Sequence, residues 1–346
     1  MDDTISPCPR DEWRELMGAD PEALPYQSPE WTDSICATGG YFDASRLFRL
    51  EDGARFVMPL VVRTGRPTII STAASLPSAW GIGGVIGTRR PEASDIRAIF
   101  EQLNKLPYGR VIVRPNPRNG ARWSAAALPG ILSRPRRAHV LDLEGGFEKV
   151  WAARFSKSTR SRIRKAERLG VTVEYDTRGK LVPVFFELLQ KSFERWSIRQ
   201  NEPLMLTRLR GAARDPLRKF QAIAAQMGEA CQVWVARVGG RPAAAAIVLQ
   251  GKNVNDSRAA MDRDLAAGTG ANDLLLKSAI EHACARACRY YHMGESGQSA
   301  SLAEFKERFG AIAYDYAEYY LEKLPYTRLD MALRTMVKQA IGFRDA

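Results

Sequence analysis

The sequence is poor in the residues that build disulfide and metal sites. Its 346 residues hold five cysteines, Cys8, Cys36, Cys231, Cys284 and Cys288, and only three histidines, His139, His282 and His292. The cysteine number is odd and no C-x-x-C pair occurs, which excludes a disulfide framework and leaves buried reduced thiols and no metal site as the expectation. Long apolar runs are missing too. No stretch approaches the roughly eighteen residues that span a bilayer, and MDDTISPCPRDEW has neither a basic n-region nor an apolar h-region. The expectation is a soluble, cytoplasmic protein with no membrane insertion. Acidic residues are the minority charge, 39 against 51 basic ones, for a net charge of +12. Such a surface suits RNA, coenzyme A or nucleotide-linked sugars, and it serves solubility equally well. What is plentiful is apolar sequence, 45% of a chain long enough for two domains with sizeable cores.

The first half reads as strands and turns with one clear helix. RLFRLED and ARFVMPLVVR flank Asp52-Gly53 as a hairpin, and TIISTAAS follows as a third strand. GIGGVIG, 81–87, lacks the lysine and hydroxyl of a phosphate loop and reads as close-packed backbone. SDIRAIFEQLNKL is a helix capped by Ser94, and GRVIVRPNP is a strand halted by proline. In the second half VTVEYD is a strand and LVPVFFELLQKSFERWSIRQ a long amphipathic helix. CQVWVARV and PAAAAIVLQ form a hairpin about Gly239-Gly240, and VNDSRAAM is a third strand. A glycine loop then enters a helix in DRDLAAGTGANDLLLKSAIEHACARA. Strand RYYHMG, helix SLAEFKERFG and strand YDYAEYYLEKL close the set, with Ser301 and Glu304 spaced as a capping box and Gly310 as the stop.

The stretch FSKSTRSRIRKAERLG, 155–170, is the most basic in the chain. On a helical wheel carried back to Trp151, Arg154, Lys157, Arg160, Arg164, Lys165 and Arg168 fall within an arc of about 140°. Trp151, Phe155, Ile163, Ala166 and Leu169 take the other side. Arg162 projects among them, where a guanidinium is costly unless paired. The outer stripe Lys157, Arg160, Arg164 and Arg168 has the linear spacing of a phosphate-tracking face, and equally that of a solvated one.

Three antiparallel strands, a loop feeding a helix, a strand, a helix and a last strand is the element order of the GNAT acyltransferase fold. SKSTRSRIRKAERLGVTVEY, AAGTGANDLLL and YYHMGESGQSASLAEFKERFGA resemble the Fem-type branch, whose members carry two GNAT-like domains in tandem. The likeness covers 150–325 well and the first half by element order alone. It implies an α/β protein with mixed, mostly antiparallel central sheets flanked by helices. The expected division is an N-terminal GNAT-like domain at 1–146, an acyltransferase domain at 147–326 and a helical tail at 327–346. It also implies an acyltransferase without metal or redox cofactor. Its partners would be aminoacyl-tRNA as co-substrate and a small acceptor bearing an amine or hydroxyl, such as a natural-product intermediate or a cell-wall precursor. Acyl-coenzyme A is the alternative donor, and a non-catalytic RNA-binding protein the alternative class.

One departure bears on the donor. Ordinary GNAT enzymes hold the coenzyme A pyrophosphate with an Arg/Gln-x-x-Gly-x-Gly/Ala turn at a helix N-terminus. Here the residue three before Gly268 is Leu265, and Arg263 stands five before it, so Gly268 and Gly270 preserve only the second half of the pattern. They remain candidate phosphate-binding positions. The resemblance assigns Lys306 to the aminoacyl ester or its phosphate, where a fixed cation would stabilise an oxyanion; a surface lysine beside Glu307 is the plain alternative. Glu295, at the end of the penultimate strand, is a candidate base, or a partner of Arg162, or a turn cap. Arg162 and Phe305 are candidate substrate contacts, Arg162 having a structural ion pair as its alternative. Trp196 either lines an acceptor pocket or packs in the core.

Overall fold

The computed structural model describes residues 3–297, 299–340 and 343. The chain divides into two compact units, Met1–Ala138 with Tyr314–Thr335, and His139–Ala313 with Met336–Ala346. This division corrects the expected cut at 146/147. The first unit takes its last strand from the end of the chain, because 319–322 pair antiparallel with Arg110–Val113 through Tyr319↔Val113 to Glu322↔Arg110.

In the first unit Arg110–Val113 also runs parallel to Thr72–Ser75, which continues through Val61–Arg63 to Tyr41–Asp43. A second sheet joins Asp3–Ile5, Arg46–Arg49, Arg55–Met58 and Ile86–Gly87, and contains the expected hairpin about Asp52-Gly53. The helix Ala93–Asn104 starts from Glu92 rather than Ser94, since the Asp95 carboxylate reaches back to the Glu92 N–H at 2.8 Å. TIISTAAS is a strand only over Thr72–Ser75, as Thr68–Ile70 winds a tight turn after Pro67. Phe100 meets Trp123 and Tyr319 edge-on at the centre of this core.

The second unit is an antiparallel run, Thr172–Asp176, Cys231–Val238, Arg241–Gln250 and Val254–Met261, with Tyr290–Glu295 added in parallel. Arg241–Gln250 is buried residue after residue from Ala243 to Leu249, so both faces of the sheet are covered. The helix Ala271–Ala285 and the basic helix Lys157–Arg168 share one core with Trp234, Ala246 and Val248. The long helix Val182–Gln200 also packs on the sheet. Two further helices, Leu204–Arg214 and Leu217–Met227, stand where the sequence analysis places no element.

The basic helix does not continue from Trp151. A wide turn at Val150–Arg154 ends in an extended Phe155 (φ −69°, ψ 130°), and Ser156 restarts the chain by accepting the Thr159 N–H at 3.1 Å. The wheel carried back to Trp151 is therefore out of phase, and Leu169 is exposed instead of buried. The helix Ala300–Glu307 starts from Ser299, so the expected Ser301–Glu304 capping box is not formed. Its stop is as expected, Gly310 taking φ +83°. A Cβ there would stand 2.6 Å from Cβ of Arg154, so the same glycine seats this helix end against the wide turn. Among the described residues no helix is long and apolar enough to cross a membrane.

Candidate active site

The cleft begins where two parallel strands part. Val254–Met261 and Tyr290–Glu295 pair at Val254↔Tyr291 and Asn255↔His292, and there their ladder ends. One residue further, the pairing of Val254–Met261 with its other neighbour steps from Val248↔Asp256 to Ile247↔Arg258, leaving Ser257 as a bulge. Bulges re-aim the side chains beside them. The strand thus turns at Asp256, at the mouth of the opening.

Lys306 closes this mouth from the helix Ala300–Glu307. Its side chain is buried, with the residue only 5% exposed, and the ammonium donates to the Gly294 and Glu295 carbonyls at 2.9 and 2.8 Å. Two of its three N–H donors are spent on these carbonyls. Burial lowers Lys306 from 10.5 to about 8, with Asp256 and Glu295 pulling the other way. Burial likewise raises half-buried Asp256 from 3.8 to about 6, against the field of Lys306. The Tyr291 hydroxyl is fully buried, has no hydrogen-bond partner among the described residues, and is held in its neutral form by burial and by Asp256. The arrangement offers a cation and a carboxyl poised near neutrality at one opening, with a buried phenol within the field of the carboxyl. Beneath it His139, wholly buried, shares a 2.9 Å hydrogen bond between its Nδ1 and Ser296 Oγ and stands 3.5 Å from Glu307, tying the loop after the strand to the lysine helix.

The other sequence-derived candidates lie in separate places. Phe305 is half-buried against Phe309, ring to ring at 5.3 Å, and Phe309 packs on Phe155. Ser156 N–H and Thr159 Oγ1 both donate to the Arg308 carbonyl, at 2.8 and 3.2 Å, so the basic helix is fastened to the end of the lysine helix. Lys157, Arg160 and Arg164 gather with Trp151 and Ala152 around an open groove of about 540 Å³. Arg160 is anchored there on the Trp151 and Ala152 carbonyls at 2.9 and 2.6 Å, and the Arg164 guanidinium stands 6.0 Å from the Trp151 ring. Arg168 lies exposed a turn beyond the groove.

Arg162 does not project between Trp151 and Phe155. Because the turn at Phe155 resets the helix, its guanidinium reaches Asp273 at 2.9 Å and Thr159 at 3.3 Å, a third of the side chain exposed. It is the structural ion pair of the two expected readings. Gly270 belongs to the same contact: a Cβ there would come within 2.5 Å of the Arg162 carbonyl, so the glycine serves the close approach of two helices. Gly268 has open space around it. Trp196 stands apart, between Phe193 at 5.6 Å and the Arg258 guanidinium at 5.4 Å, and Arg258 is paired with buried Asp215 at 2.7 Å.

Asp256 and Tyr291 were not singled out from sequence. The available signal was an aspartate in the middle of a strand, where that residue is depleted.

Comparison with known proteins gives the class. Residues 153–307 match the model of the acetyltransferase (GNAT) domain family. The chain is an acyltransferase carrying a GNAT domain, built on the fold of the Fem-type branch. FemX superposes with a TM-score of 0.66 at 11% identity over 95% of this chain and 99% of that one. A Bacteroides thetaiotaomicron protein of unknown function gives 0.56 at 9%, covering 91% and 99%. The C-terminal domain of a protein described as a lysylphosphatidylglycerol synthetase from Agrobacterium fabrum gives 0.51 at 17%, covering 93% and 95%. At these identities the likeness is one of fold. No curated protein matches the chain.

Proposed function

We propose that the chain is an aminoacyl-tRNA-dependent aminoacyltransferase, acting in the cytoplasm, that moves an amino-acyl group to an amine or hydroxyl of a small acceptor. The observation that carries this reading is the fastening of the basic groove helix to the helix that holds buried Lys306, so that a polyanion on the groove would lie beside the cleft. FemX and the lysylphosphatidylglycerol synthetase domain, as fold neighbours, are in keeping with that donor class.

In the proposed step the acceptor nitrogen or oxygen attacks the ester carbonyl, forming the new C–N or C–O bond. The oxyanion takes a hydrogen bond from the remaining N–H of Lys306, and the bond to the terminal ribose oxygen then breaks. Asp256 takes the attacking group's proton, a role first considered for Glu295, and its raised pKa suits it to pass that proton to the departing ribose oxygen. No covalent enzyme intermediate and no cofactor are called for, since the ester is already activated.

Acyl-coenzyme A is the second reading, favoured by the acetyltransferase description of the matching family. Against it stands the turn ahead of the helix Ala271–Ala285, whose Gly270 is committed to packing and which has Leu265 in place of an arginine or glutamine three residues before Gly268. Purified protein incubated with labelled aminoacyl-tRNA or labelled acetyl-coenzyme A and a panel of amines tests the choice. Label passing from tRNA to an amine supports the proposal. Label passing from coenzyme A alone overturns it.

A further inference from the structure

The helix Leu204–Arg214 is built inside out. It buries Thr207 and Gly211, one turn apart, and Gly211 is the residue the seat allows, since a Cβ there would stand 2.5 Å from the Phe193 ring. Its apolar side chains turn outward. Met205 is 73% exposed and Leu209 57%, with Leu204, Leu206 and, at the end of the preceding helix, Ile198 exposed beside them. On the wheel Met205, Leu209 and Ala213 lie opposite Thr207 and Gly211, flanked by Arg208 on one side and Arg210 and Arg214 on the other.

An outward apolar stripe between arginines has the pattern of a helix lying in an interface. The charge decides which interface. Between 194 and 219 seven basic residues stand against three acidic ones, a net charge of +4. Glu194 and Glu202 are taken by Arg208 and Arg210, at 2.6 and 2.8 Å, and Asp215 is shared by Arg258, Lys219 and Arg214, at 2.7, 2.9 and 3.4 Å. Among the described residues Arg199 and Arg218 have no acidic partner. A two-fold contact with a second copy would set this positive rim against itself, where like charges oppose association. An anionic lipid surface accepts both the stripe and the rim.

We infer that the helix Leu204–Arg214 docks the protein onto anionic lipid headgroups, with Met205 and Leu209 reaching the acyl boundary and the surrounding arginines resting among the phosphates. The helix lies on the surface and does not cross it. This site is independent of the donor question, because it needs neither tRNA nor acceptor.

Co-sedimentation of the full chain with phosphatidylcholine vesicles, with and without a minority of phosphatidylglycerol, tests it. Binding is expected only with phosphatidylglycerol, weakening as salt is raised. The double variant Met205→Glu with Leu209→Glu, at two exposed positions, is expected to lose about tenfold or more of the binding while its circular dichroism melt is unchanged. Absence of binding to the anionic vesicles overturns the inference. So does binding that survives the double variant, or a wild-type dimer that the double variant splits while neither form binds vesicles.

Discussion

Each unit buries charge, and Glu318 in the first and Lys306 in the second are held in opposite ways. In the first, Glu318 is 3% exposed, yet its carboxyl is held down to about 2. Burial alone would raise it, but Arg114 and Arg136, both at 2.5 Å, and the Tyr320 hydroxyl outweigh that cost. Glu22, also buried, faces two guanidinium groups as well, those of Arg90 and Arg118. In the second unit Lys306 is as deeply buried, and the groups in hydrogen-bonding contact with its ammonium are two carbonyl oxygens. Asp256 and Glu295 act on it only through their field, and both Lys306 and Asp256 are pushed toward their neutral forms. A fold gains little by holding charges so incompletely matched. A cleft that must give and take protons near neutral pH requires it.

The largest expected effect breaks the compensated side. Glu318→Ala leaves two guanidinium groups facing one another, and the protein is expected to lose about 3 kcal/mol of stability at pH 7 in denaturant unfolding. The sign follows from the depressed carboxyl. Wild-type stability from this group is complete above the ordinary value of 4.5 and is lost as pH falls toward about 2, so the deficit of the variant should shrink in acid.

Lys306→Met acts on the uncompensated side. A cation whose pKa is lowered by folding costs stability below about 8, so the melting temperature at pH 7 is expected to hold or rise. Turnover at saturating donor is expected to fall about a hundredfold, roughly 2 to 4 kcal/mol of transition-state stabilisation. A normal rate with a lowered melting temperature would make Lys306 a structural residue like Glu318.

The two sides also differed in how far the sequence disclosed them. Element order in the second half is local information, carried by Gly239-Gly240, by Gly310 and by the alternation of CQVWVARV, and it led to the GNAT fold, while Lys306 came from the resemblance of YYHMGESGQSASLAEFKERFGA to the Fem-type branch. Asp256 acquires its character from a bulge at Ser257 and from a lysine fifty residues away, neither of which a strand pattern announces. Arg162 was misplaced because helical periodicity was carried across Phe155, where the backbone is extended. The helix Leu204–Arg214 went unread since its apolar stripe faces outward and its buried residues are a threonine and a glycine. The strand of Tyr319 belongs to the first unit through pairings that only the folded chain contains.

A smaller effect sharpens the reading of the groove. Changing Lys157, Arg160 and Arg164 together to alanine is expected to weaken tRNA binding and reduce the slope of log affinity against log salt by about two. Three charges would give more, but Arg160 is already spent in part on the Trp151 and Ala152 carbonyls. Filter binding at several salt concentrations measures it, and an unchanged slope would return the helix to a solvated face.

Left incompletely matched in the second unit, Asp256 and Lys306 are proposed to face the reacting atoms in opposite protonation states. The pH dependence of kcat/KM tests this most directly, because it reports the free enzyme's essential groups. Activity is expected to rise through about 6 as Asp256 ionises and to fall through about 8 as Lys306 loses its proton. Asp256→Asn should abolish the acid limb and Lys306→Met the basic one, each in the activity that remains. Two limbs that persist unmoved in both variants would remove Asp256 and Lys306 from the reaction.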